Sequence, residues 1–134
     1  MGKKGLLLIG HGSRLPHNKE LIQETARQMA KMSDYLIRCA FMEVSTPTIT
    51  EALAEFKKED LDLLVAVPLF LAKGVHILED IPLLLELGNG SSRGTFSLAN
   101  GRIIPLVYAE PIGNDPLLAT LMLKNAEMAI RTHL

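Results

Sequence analysis

Three short segments hold the residues best suited to bind or transform a ligand: Gly10-His11-Gly12-Ser13-Arg14, Glu43, and Lys73-Gly74-Val75-His76. Two neutral imidazoles and one carboxylate are a standard ligand set for a borderline divalent cation such as Co²⁺, Ni²⁺, Fe²⁺ or Zn²⁺. Each residue also has a plainer use. A histidine between two glycines can cap a turn, and the same glycines would let backbone amides approach a phosphate. His76 precedes a helix start and can simply bond a backbone carbonyl, while Glu43 can pair with Arg14 or help to cap the helix after Thr46. Arg14 and Lys73 flank the histidines and offer charge for an anionic substrate, although loop cations are usually just solvated. What raises the three together is a shared location, and that location depends on the elements around them.

Apolar runs of strand length alternate with segments of helical period, the signature of βαβ units. Leu6 to Ile9, a continuous apolar run between Gly5 and Gly10, suits a strand covered on both faces of a parallel sheet. Asn18 is placed to cap a helix carrying Ile22, Thr25, Ala26 and Met29 on one face. Leu36 to Met42 reads as a second strand; Thr46 then serves as N-cap with Pro47 at the first helical position, ahead of Ile49, Ala52, Leu53 and Phe56. Leu63 to Val67 is the third strand, running on towards Phe70 with Pro68 near its end, followed by a helix start at Glu79-Asp80-Ile81-Pro82 that stops before Gly88. Residues 88–102, with four Gly, three Ser and two Asn, read as a mobile loop. Ile103 to Tyr108 supplies a fourth strand, and Asp115-Pro116 opens a last helix with Leu118, Met122, Ala126 and Ala129 on one face. The expected fold is α/β, a three-layer α/β/α sandwich around a four-stranded parallel sheet. In such a sheet ligands bind beyond the carboxyl ends of the strands, and His11, Glu43 and His76 follow three different strands there.

These segments resemble a known family. Leu8-Ile9-Gly10-His11-Gly12-Ser13-Arg14, Glu43 with Pro47, Val67-Pro68-Leu69-Phe70-Leu71, Gly74-Val75-His76, Glu79-Asp80-Ile81-Pro82, and Gly113 with Asp115-Pro116 occur in the order seen in the CbiX family. These are the small sirohydrochlorin cobaltochelatases among the class II chelatases. The resemblance covers nearly the whole chain. It implies insertion of Co²⁺ into sirohydrochlorin in cobalamin biosynthesis by the anaerobic early-cobalt route, without nucleotide hydrolysis. Nickel or iron insertion, towards a nickel tetrapyrrole coenzyme or siroheme, and a non-catalytic metal or tetrapyrrole carrier are the alternatives. It also implies that His11, His76 and Glu43 are the metal ligands and catalytic groups, with a neutral His or Glu43 accepting pyrrole protons. No cofactor is then permanently bound, because the metal is itself a substrate. Gly12, Ser13, Arg14, Lys73 and Gly74 become candidate contacts for the carboxylates of the tetrapyrrole, and 88–102 becomes a candidate lid. The chain lacks the His-rich tail or insert of some members, so metal is expected from solution or from another carrier.

Composition narrows the field further. With 134 residues, 48% hydrophobic and 22% charged, the chain suits one domain, 1–134. Its 14 basic and 15 acidic residues are dispersed and only 4% of residues are aromatic, which argues against a nucleic-acid partner. No apolar run reaches the length of a signal core or a membrane span, so no membrane association is expected. The lone Cys39 lies within a strand and suits a reduced, cytoplasmic setting. His17 reads as solvated, although it is close enough to His11 in sequence to assist a site, and His133, penultimate in the chain where fraying is expected, carries little weight. A histidine phosphatase is a poor match, since the Arg those enzymes place before the phospho-accepting His is here Gly10. Two-unit chelatases surround a cleft with two such domains, so a chain supplying one is expected to work as a homodimer.

Overall fold

The computed structural model describes residues 2–88 and 90–134. The strands β1 (Lys3–Gly10), β2 (Leu36–Phe41), β3 (Leu61–Pro68), β4 (Arg93–Ser97) and β5 (Ile103–Tyr108) form one sheet in the order β2-β1-β3-β5-β4. β1 lies inside the sheet between β2 and β3, and its run Gly5 to Gly10 is buried throughout, leaving no face for solvent. It pairs in parallel with β2 and β3, and β3 pairs in parallel with β5.

The expected four-stranded parallel sheet is thus incomplete. A fifth strand, β4, runs antiparallel to β5 from Arg93 opposite Val107 to Ser97 opposite Ile103. It arises within residues 88–102, so the reading of that stretch as a mobile loop fails for its centre; Asn89 lies outside the described residues. The segment Arg-Gly-Thr-Phe-Ser hides its strand character because it occupies an edge, where only Phe96 is buried and Arg93, Thr95 and Ser97 face outward.

Helices cover the sheet unequally. α2 (Ile49–Phe56) and α3 (Ile81–Leu84) pack on the face that carries Leu7, Ile9, Ala40, Leu64, Ala66, Ile104 and Leu106. Each of the larger of these side chains stabilises the fold by roughly 2 kcal/mol through burial. On the opposite face α1 (Pro16–Lys31) sets Ile22 and Ala26 against Leu6, Leu8 and Phe41. α1 covers the β1 and β2 side of that face. On the β3 and β5 side Val65, Val67, Pro105 and Val107 are only half-buried, and Ile103 is 68% exposed.

Two helix starts also differ from expectation. Leu15 stands at the N-cap of α1 with Pro16 in the first turn and no side-chain cap, because the Asn18 side chain accepts instead from the Gly12 amide, 3.0 Å away. α2 is capped by Thr48, not Thr46; Thr46 and Pro47, joined by a cis peptide bond, remain in the connecting loop. The reason is reciprocity: Glu51, three residues after Thr48, returns a bond to the cap backbone, whereas the residue three after Thr46 is Ile49. Asp115 caps α4 (Pro116–His133) as expected, accepting from Leu117 at 2.8 Å. Among the described residues no helix is long and apolar enough to cross a membrane. α4, however, buries none of its own residues.

Candidate metal centre

The strand ends bring the three expected ligands together. Past the end of β1 the chain remains zipped to the segment after β2, through Met42 N–H to Gly10 O at 3.0 Å and Glu43 N–H to His11 O at 3.2 Å. Leu69 N–H to Ile9 O, at 2.8 Å, extends the pairing on the β3 side. Gly12 has φ +93°, and a Cβ there would overlap the carbonyl oxygen of Glu43. Only glycine permits that approach, which sets the Glu43 backbone against the His11 turn.

His11 Nε2 lies 3.3 Å from Glu43 Oε1 and 3.3 Å from His76 Nε2. One donor atom from each of the three residues falls within 4.8 Å of the others. All three side chains are partly open to solvent, with His11 45%, Glu43 56% and His76 38% exposed. The ring of Phe70 lies beside both imidazoles, with centroids 6.2 Å from His11 and 6.3 Å from His76.

The second nitrogen of each ring decides what the first can do. His11 Nδ1 is 3.0 Å from the Gly12 carbonyl and His76 Nδ1 is 2.8 Å from Asp80 Oδ2; both partners accept, so each neutral ring donates from Nδ1. Each Nε2 then presents a lone pair. Their 3.3 Å approach has the length of a hydrogen bond, but in these tautomers it sets two acceptors face to face. A shared cation would relieve that repulsion. An ion at about 2.1 Å from both nitrogens would see them roughly 100° apart, which suits tetrahedral or octahedral coordination.

His76 opens a five-residue π turn, His76–Asp80, that leads into α3. Its backbone is held from inside by buried Ile77, and the Tyr108 hydroxyl donates to the Ile77 carbonyl at 3.0 Å. Burial, with a smaller effect from the charge of Glu110, pushes the Tyr108 phenol up to about 12, so it stays a donor at neutral pH.

The remaining candidates are placed less uniformly. The Gly12 amide donates to Asn18 Oδ1 at 3.0 Å, and the Ser13 amide donates to Ser45 Oγ at 3.4 Å. Arg14 and Gly74 are exposed, and Lys73 pairs with Glu110 at 3.2 Å. Lys73 and Glu110 also line a cleft of about 190 Å³ with Tyr108, Ser91 and Ser92. Cys39 is half-buried in β2, where burial pushes its thiol up, as befits an inert residue. His17 and His133 are exposed. Sequence reasoning overlooked an apolar set in the segments that carry the ligands: Val44, Leu71, Val75 and Leu78 are each 61 to 65% exposed. The available signal was large aliphatic residues in loops beside polar ligands.

The CbiX family model matches residues 5–129. This chain belongs to the CbiX family. It is 46% identical over 125 residues to the sirohydrochlorin cobaltochelatase of Methanococcoides burtonii, covering 92% of this chain and 95% of that one. With the enzyme of the same name from Methanosarcina barkeri it is 45% identical over 129 residues, covering 96% and 98%. Among solved structures, the sirohydrochlorin chelatase SirB from Bacillus subtilis subspecies spizizenii, in complex with cobalt, matches with a TM-score of 0.66 and 25% identity. That match spans 85% of this CbiX chain but only 45% of SirB. A CbiX protein from Marinobacter aquaeolei, 23% identical with a TM-score of 0.70 over 96% of this chain and 98% of its own, shares the fold.

Proposed function

We propose that this protein is a sirohydrochlorin cobaltochelatase, inserting Co²⁺ into sirohydrochlorin in the early-cobalt route to cobalamin. The observation that carries this reading is the convergence of His11 Nε2, Glu43 Oε1 and His76 Nε2 at a solvent-open edge of the sheet. Imidazole and carboxylate donors hold a divalent ion while it sheds water, yet release it to four pyrrole nitrogens. Thiolates would retain it more strongly. Insertion expels two protons from the macrocycle, and Glu43 or a histidine vacated by the metal accepts them as general base. The exposed aliphatic set suits the flat apolar ring, while Arg14 and, on leaving Glu110, Lys73 suit its carboxylates. No resident cofactor is required.

The donor set does not separate Co²⁺ from Ni²⁺ or Fe²⁺. Purified protein mixed with sirohydrochlorin and each metal in turn, followed by visible spectroscopy against a protein-free control, tests the reading. Acceleration with Co²⁺ is expected. Its absence with every metal would leave a carrier, and acceleration with Ni²⁺ or Fe²⁺ alone would reassign the metal.

The unit works as a homodimer, and α4 supports this reading. Large apolar side chains occupy most of its circumference: Leu117 is 76% exposed, Leu123 66%, Ile130 57% and Met122 51%. Thr120, Lys124, Glu127 and Arg131 form its one polar strip, and so wide an apolar arc on the rest is built for burial. The same chain leaves the β3 and β5 side of its sheet half-covered, on the face that α1 covers elsewhere. Exchange of α4 between two copies would satisfy both surfaces at once, under the two-fold symmetry usual for homodimers. The match to less than half of SirB is consistent with two copies doing the work of one longer chain. We expect wild-type protein to sediment as a dimer and Met122→Glu with Leu123→Glu to shift it towards monomer with loss of insertion activity. A fully active wild-type monomer at assay concentration would refute the assembly.

A further inference from the structure

We propose that Asp80 is a positioning residue, whose carboxylate fixes the His76 ring in the tautomer that presents the Nε2 lone pair to the incoming metal. This rests on the metal-binding reading above and adds to it a residue outside the ligand triad. Asp80 Oδ2 lies 2.8 Å from His76 Nδ1, and among the described residues no Lys or Arg forms an ion pair with this carboxylate. It is not serving as a helix cap, because its side chain makes no capping bond although it stands at the N-terminal position of α3.

The backbone is arranged to keep the pair in register. The π turn closes through the Ile81 amide to the His76 carbonyl, five residues apart, and places His76 and Asp80 on one side of it. Buried Ile77 and the Tyr108 hydroxyl anchor the other side. π turns of this kind occur frequently at functional sites. A metal-ligating histidine normally gives its second ring proton to such an acceptor, which fixes the tautomer and raises ligand basicity. His11 achieves the same through the Gly12 carbonyl, 3.0 Å from its Nδ1. A backbone acceptor cannot be removed by side-chain substitution; Asp80 can.

The test compares wild type with Asp80→Ala. Long-range nitrogen–proton NMR at about pH 8.5, roughly two units above the ordinary imidazole value, reads the tautomer of His76 without metal. Wild type should carry its proton on Nδ1, and Asp80→Ala should move it towards Nε2. Titration with Co²⁺ alone should show affinity falling about 10- to 100-fold in the variant, the usual effect of removing such a partner. Asp80 is half-exposed, so its truncation leaves no buried cavity, and an unchanged melting temperature is the expected companion result. A wild-type His76 already protonated at Nε2 would overturn the proposal whatever the variant does. So would a variant whose tautomer is unchanged and whose affinity stays within about twofold. Wild-type protein that binds no Co²⁺ would defeat the metal reading itself, while the NMR comparison would still decide whether Asp80 sets the tautomer.

Discussion

At the carboxyl ends of the strands, His11, Glu43 and His76 bring three donors together, and among the described residues no Lys or Arg pairs with them. At the amino ends the arrangement is reversed. Arg102, ahead of β5, donates to Asp60 at 2.9 Å and to Asp62 at 2.7 Å, so one cation is shared by two carboxylates flanking the start of β3. Both ends are polar and exposed, and both join residues distant in sequence. The difference is that the amino end completes its own electrostatics, whereas the carboxyl end sets two imidazole lone pairs against each other and leaves the balancing charge to come from outside. Paired charge of the first kind serves the fold; an unbalanced donor set of the second kind is what a metal substrate requires.

The sharpest way to break this comparison is to remove a ligand. His11→Ala or His76→Ala should weaken Co²⁺ binding by more than about 100-fold, beyond the upper end of what loss of an outer partner costs. The insertion rate should fall with it while the circular dichroism spectrum persists. A variant with wild-type affinity and rate would reduce the cluster to a coincidence of loop packing. Substituting Arg102 should leave both quantities unchanged.

A glycine at each end allows a second, smaller comparison. A Cβ on Gly12 would strike the backbone carbonyl of Glu43 from a φ of +93°, while a Cβ on Gly2 would strike the side chain of Asp62. An exposed carboxylate can swing away, but a carbonyl held in the strand-end network cannot. Gly12→Ala should therefore cost about 2 kcal/mol or more through strain, a fall of about 7 °C in Tm for a chain of this length. Because the movement displaces Glu43, activity should fall more than stability explains. Gly2→Ala should lower Tm only slightly, as Asp62 gives up part of its pairing with Arg102, and equal effects at the two glycines, measured by calorimetry, would contradict the rigidity assigned to the site.

These contrasts also explain which parts were legible in the sequence. His11, Glu43 and His76 could be placed because each follows an apolar run, and parallel strands deliver whatever follows them to the same edge. β4 escaped because an edge strand needs only one buried side chain, here Phe96, and Arg93-Gly94-Thr95 reads as loop. The cap of α2 was legible in the Thr48 and Glu51 spacing but was obscured by the Thr46-Pro47 pair beside it. Asp80 could be located but its use could not, since whether residue i+4 meets His76 depends on the turn that Ile77 and Tyr108 impose. The half-covered face of β3 and β5 was invisible for a related reason: the apolar pattern of α4 announces that it must be buried and is silent on what buries it.

The smallest effect belongs to the amino end and concerns acid stability. Hydrogen bonding and charge from Arg102 hold the Asp62 carboxyl below the usual carboxylate range in the folded chain. The unfolded chain therefore binds protons more readily than the folded one as pH falls past the ordinary carboxylate value. Stability from this pair is fully present at neutral pH, begins to fade near about pH 4, and is lost as pH drops through the lowered folded value. Arg102→Ala should remove it, giving a slightly lower Tm at about pH 7 and a shallower decline of Tm between about pH 4 and about pH 3. Solvent screening at these exposed groups keeps the effect small. If Arg102→Ala instead steepened the acid decline, Asp62 would owe its lowered value to another neighbour, and the contrast between a self-balanced end and an unbalanced one would lose its structural half.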